Sequence, residues 1–115
     1  MNQQELPLLH RLDGPAVVPP QLLKGVKTFR DAVLLCWALR RDKSSGAQSA
    51  CARYIGAQVS HMSDYLSDDP AKRDMPAKYI KAIEVWCGNT AISQHISSDA
   101  HLTVVEEMQA MRAAA

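Results

Sequence analysis

Gln58, Ser60, His61, Ser63, Asp64 and Ser67 crowd six hydrogen-bonding side chains into ten residues, and the chemistry they offer is recognition. Amide, hydroxyl, imidazole and carboxylate groups match the donors and acceptors of base edges and phosphate oxygens. Val59, between them, has the apolar tip that meets a thymine methyl. Such a row works only if an apolar face opposite holds it in place. The flanking residues supply one: Cys51, Ile55, Ala57, Met62 and Tyr65 are spaced to face inward. Gln58, Val59, Ser60, Ser63, Asp64 and Ser67 are then left outward, and His61 projects from the same helix. Two short helices, 48–55 and 58–66, must cross closely for this, and Ala52 is small enough to permit it. Gly56 suits the left-handed residue that the turn between them requires.

Charge is distributed unevenly along the chain. From Lys24 to Lys81 there are eleven Lys or Arg against six Asp, a net +5, whereas the remainder carries two Arg against six acids, a net −4. The basic excess coincides with the paired helices and their neighbours, as expected of a surface that meets phosphate. Arg41, Lys43, Arg53, Lys72 and Arg73 are the residues expected to flank a groove and hold a nucleic-acid backbone. Lys78 and Lys81 lie further off.

Other chemistries find less support. His95 and His101 stand six apart near Asp99, whereas helical metal sites use spacings of three or four or a Cys-rich partner, so no metal site is expected. Glu84, Glu106 and Glu107 are expected on a solvated face rather than as an acid/base pair. No Gly-rich phosphate loop or nucleophile signature accompanies them, so the chain is expected to be non-enzymatic and to need no small-molecule cofactor. Cys36, Cys51 and Cys87 are odd in number, far apart, and each set in an apolar stretch, which predicts buried thiols in a reducing cytoplasm. The first twenty residues lack the pattern of a signal peptide, and no stretch of eighteen apolar residues occurs, so neither secretion nor a membrane span is expected.

The elements that would position the row are helices. With 115 residues, 47% hydrophobic and only 5% aromatic, the chain suits one modest all-α core of Leu, Ile, Val, Ala and Met. Residues 1–27, with Pro7, Pro15, Pro19 and Pro20, read as an arm, with Leu6, Leu8, Leu9 and Leu12 available to pack on the body or on a second subunit. Thr28 is a plausible N-cap for a first helix ending near Arg41, with Phe29, Ala32, Val33, Cys36, Trp37 and Leu39 inward. After the paired helices, Pro70 breaks the chain. A fourth helix is expected to begin around Asp74 to Pro76, with Asp74 as cap and Tyr79, Ile80, Ile83, Trp86 and Cys87 buried. Trp37 and Trp86 are expected in the core. Gly88 closes that helix and Asn89 or Thr90 starts a fifth, with Ile92 and Ile96 inward. From 99 to 115 a C-terminal helix places Leu102, Val105, Met108 and Met111 at three-residue intervals, a stripe that packs on its own domain or on a twin subunit.

Residues 28–97 resemble the phage-repressor type of helix-turn-helix domain, the Cro/CI-like or XRE superfamily. QSACARYIGAQVSHMSDYL carries the likeness through Gln48, Cys51-Ala52, Ile55-Gly56, Ser60, Met62 and Tyr65, without a gap. Asp74-Met75-Pro76-Ala77 and Cys87-Gly88-Asn89 are similar to the later part of phage and plasmid regulators of that group. Val59 and Asp64 stand where the family commonly has Gln, Arg, Lys or Asn, and the loop after the first helix is about one residue longer. The resemblance implies a five-helix lambda-repressor-like bundle at 28–98, an N-terminal proline-containing arm at 1–27 and a C-terminal helix at 99–115. It implies a cytoplasmic transcriptional regulator, such as a repressor, of phage, plasmid or bacterial origin that reads double-stranded DNA with 58–67 in the major groove. Gln48 would contact a phosphate and brace that helix, and Gln58 or Ser60 would reach phosphate or the first base edge. Val59 would meet a thymine methyl, and Ser60, Ser63 and Asp64 polar base atoms. Because one such unit buries little DNA, a homodimer is expected, through Leu102, Val105 and Met108 or through the arm. Two other readings stay open: an antitoxin of a toxin–antitoxin pair that also binds DNA, and a helix-turn-helix fold whose outward face serves a protein partner.

Overall fold

Thr28 and Asp31 start the first long helix by satisfying each other's backbone. In the computed structural model, which describes residues 14–114 apart from the side chains of 101–104 and 114, Thr28 Oγ1 accepts from the Asp31 amide at 3.1 Å. Asp31 Oδ2 accepts from the amides of Thr28, at 3.2 Å, and Lys27, at 3.0 Å. This capping box fixes two of the helix's free N-terminal donors. The bond from the Lys27 amide leads the effects that hold the Asp31 carboxyl below its ordinary range.

Helices α1 (Pro20–Leu23), α2 (Phe29–Ala38), α3 (Ala47–Ile55), α4 (Val59–Tyr65), α5 (Ile80–Cys87) and α6 (Ala91–Ala114) follow in order, with a 3₁₀ turn at Ala77–Tyr79. The architecture is an all-α bundle, with no strand among the described residues. In it α2 lies against α6 and α5, α3 against α4 and α5, and α5 against α6. Ala32, Val33 and Cys36 from α2, Cys51 and Ala52 from α3, Met62 from α4, Ile83 and Cys87 from α5 and Ile92 from α6 meet in one buried core. No described helix is long and apolar enough to cross a membrane.

Several boundaries differ from expectation, each for a local reason. Helix α2 stops at Ala38 rather than near Arg41, because Arg40 Nη1 turns back to the Trp37 carbonyl, at 3.0 Å, and Lys43 Nζ to that of Ala38. Two cations thus satisfy carbonyls that another helical turn would otherwise have used, and Leu39 is left exposed instead of inward. Asp74 does not cap α5. It pairs with Arg30 at 2.9 Å, and the helix begins only after extended Pro76 and the 3₁₀ turn. The expected break between a fifth helix and a C-terminal one is absent: α6 runs 24 residues, about 36 Å. Ser97, Ser98 and Asp99 favour caps, but solvent-facing and without Gly or Pro they do not interrupt a helix. Ile96 is exposed rather than inward.

Part of the expected arm belongs to the body. Val18 is buried, with its amide donating to Gln94 Oε1 at 2.8 Å and its carbonyl accepting from Gln94 Nε2 at 3.0 Å. Ala16 forms a single parallel bridge with Asn89 through bonds to Gly88 and Thr90. Leu6, Leu8, Leu9 and Leu12 lie outside the described residues.

The three cysteines are free and buried, as their apolar settings predict. Hydrogen bonding to Cys87, reinforced by burial, pushes the Cys36 and Cys51 thiols far up. Glu84 departs from the expected solvated face: it is buried and accepts from the amide and hydroxyl of Ser93, at 2.7 and 2.6 Å, capping the start of α6. Trp37 and Trp86 stack at 5.8 Å between ring centres and are half-buried, with the Arg40 guanidinium 4.2 Å above Trp37.

Candidate nucleic-acid interface

Gly56 sets the angle between α3 and α4. Its φ is +85°, in the left-handed region, and the amides of Gly56 and Ala57 both bond to the Ala52 carbonyl, at 3.1 and 2.9 Å. Ala52 itself is fully buried, on a helix that packs against α4. Met62 and Tyr65 hold α4 onto the core from the other side, both buried as expected. Ala57 is half-buried.

This seating exposes Gln58, Val59, Ser60 and Ser63. Gln58 is the extended residue before α4, and its side chain makes no capping bond. Ser63 Oγ donates to the Ser60 carbonyl at 3.1 Å, while the Ser60 hydroxyl stands in solvent. Val59 is 43% exposed, an apolar tip among polar neighbours.

The rest of the expected row is engaged within the protein. Asp64 was expected to reach a base; instead its Oδ2 accepts from Arg73 Nε at 2.8 Å, and its side chain is only 28% exposed. His61 Nε2 lies 2.9 Å from Arg73 Nη1, and its ring stands edge-on to Tyr65. Ser67 lies past the end of α4 rather than on it: its Oγ accepts from the Asp69 amide and its carbonyl from Arg30, so it is half-buried in the loop.

Arg30 organises that loop, and the sequence reading missed it. This buried guanidinium donates to the carbonyls of Asp64, Ser67, Lys72 and Arg73 and to the Asp74 carboxylate. The signal was present, since Arg30 falls three residues before Val33 and seven before Trp37, inside the apolar stripe of α2. A charge in such a stripe calls for a polar partner.

The basic residues do not gather on one side of α4. Of the cations expected at the groove, Arg73 is the one seen bonded to α4 side chains among the described residues, with exposed Lys72 next in the chain. Arg41 and Lys43 follow the opposite end of α2 from Arg30, whose length separates the two ends by about 15 Å. Arg41 is turned toward α5, donating to the Val85 carbonyl at 3.2 Å. Arg53 is exposed on α3 and Gln48 half-buried in its first turn. On α6, Val105 is half-buried while Met108 and Met111 are exposed; the Leu102 side chain lies outside the described residues. Set against protein-family models, curated proteins and solved structures, the chain finds no match in any of them.

Proposed function

We propose that the protein is a sequence-specific binder of double-stranded DNA, a cytoplasmic transcriptional regulator of the phage-repressor helix-turn-helix type, with α4 entering the major groove. The observation that carries this reading is the division of labour on α4. Met62 and Tyr65 are buried while Gln58, Val59, Ser60 and Ser63 stand in solvent behind a glycine-made turn. An exposed amide, two hydroxyls and a small apolar tip at a helix start are the groups that read base edges. Arg73 and Lys72 at one side of α4 are the phosphate contacts of this reading, while Arg41 and Lys43, at the far end of α2, and Arg53, on α3, are not placed beside it. Pairing with Arg73 removes the objection that a free Asp64 would raise against a nearby phosphate.

A homodimer completes the reading, because one seven-residue helix reaches few base pairs. The exposed Met108 and Met111 on the far part of α6 are the apolar surface available to a twin subunit. The test is selection from a pool of duplexes with a randomised core. Enriched sequences are expected to be two-fold symmetric, with half-sites about 34 Å apart. Ser60→Ala is expected to relax the preference at one position per half-site. Enrichment unaltered by Ser60→Ala and Val59→Ala would reject α4 as the reading element. No enrichment, with tight salt-insensitive binding to a protein, would favour the interaction-module alternative.

A further inference from the structure

Arg73 reaches back from the loop and lies along the outer side of α4, tied at two points. Its Nε donates to Asp64 and its Nη1 contacts His61 Nε2, residues one turn apart on the same helix. A guanidinium has no acceptor, so in this contact Arg73 Nη1 donates and His61 Nε2 accepts. The Arg73 backbone is fixed as well, because its carbonyl and that of Lys72 are held by buried Arg30. Nη2 has no partner among the described residues, and the side chain is 53% exposed. With Nε and Nη1 engaged, the Nη2 hydrogens of a guanidinium held in place stay available to a phosphate oxygen.

We infer that Arg73 is a pre-oriented ligand for a backbone phosphodiester beside the groove, and that Asp64 and His61 are positioning residues for it rather than base readers. The inference rests on the duplex-DNA reading above. It also reverses the sign expected of Asp64. A free carboxylate on a DNA-facing helix repels phosphate, so its removal tightens binding. A carboxylate that orders the arginine does the opposite: without it, complex formation must immobilise a mobile side chain, which weakens binding about twofold to tenfold.

The experiment measures binding of the full-length chain to a labelled duplex pool with a randomised core, across a salt series. Wild type, Asp64→Ala, Arg73→Ala and the double variant are compared after thermal melts establish that each folds. Arg73→Ala is expected to weaken binding and to reduce the slope of log K against log salt by about 0.9, one phosphate contact. Asp64→Ala is expected to weaken binding although it removes a negative charge, and to do so only where Arg73 is present. Asp64→Asn, which keeps the shape without the charge, provides the same readout if the alanine variant fails to fold. Tighter binding on loss of Asp64 in both backgrounds, or an unchanged salt slope for Arg73→Ala, overturns the inference while leaving DNA binding standing. A wild-type chain with no salt-dependent affinity for the pool overturns both.

Discussion

Arg30 shows how one side chain can decide the shape of a surface it does not join. Four carbonyls and a carboxylate from residues 64 to 74 converge on its guanidinium at 2.6 to 3.2 Å. Without it the Ser67, Lys72 and Arg73 carbonyls of the loop that ends α4 would lose this donor, whereas that of Asp64 also accepts from the Ser67 amide. Arg30→Met keeps the length and apolar contacts of the stem but strips this network, and is expected to cost about 3 kcal/mol. Urea denaturation measures it. A loss below about 1 kcal/mol, the range of an ordinary surface substitution, would show that the loop is held by other means. Asp74→Asn is expected to cost far less, because that carboxylate is 70% exposed and only one of five acceptors. Legibility at this scale followed exposure. Residues facing solvent by periodicity, such as Gln58, Ser60 and Ser63, were placed correctly from spacing alone. The partners of Asp64 and Glu84 were not, because Arg73 and Ser93 stand nine residues away in each case and only the fold brings them into reach.

At the scale of elements, the signals that proved readable were local ones. Thr28 marks the start of α2 and Gly56 the end of α3, each within a single turn of chain. The start of α5 escaped because Asp74 had two competing uses, and the long-range pairing with Arg30 prevailed over the cap. A break before a C-terminal helix was expected after Ser97, yet nothing there forbids helical backbone, so α6 continues. Glycines close α3 and α5 in the same way, with φ of +85° at Gly56 and +91° at Gly88, and each following amide bonds back into the last turn. Alanine at either position is expected to cost about 1–2 kcal/mol through left-handed strain. The two sites differ in their surroundings. Open space surrounds the missing Cβ of Gly56, whereas that of Gly88 would collide with Arg41 Nε. Asparagine, which tolerates this conformation, is therefore expected to recover much of the loss at Gly56 and less at Gly88, where Arg41 must also leave the Val85 carbonyl. Thermal melts of the four variants check this, and equal recovery at both sites would contradict it.

Across the whole molecule, the bundle was legible as all-helical from periodicity and low aromatic content, while the arrangement of its charges was not. The basic excess between Lys24 and Lys81 suggested one patch, but Arg30, Arg40, Arg41 and Lys43 spend donors on carbonyls of the protein itself. The site proposed for DNA is thus a short polar ridge with one fixed cation, which favours reading by contact over attraction by field. Such a surface is expected to bind with a shallow salt dependence, close to the few phosphates it touches. Backbone amide shifts followed by NMR as a duplex selected from the randomised pool is added test the central claim most directly. The account predicts that the largest perturbations fall on Gln58 to Ser63 and on Arg73, with α1 and the core positions of α5 little changed. Perturbations confined to α6 or to the Trp37–Trp86 side, with the α4 amides unmoved, would contradict it.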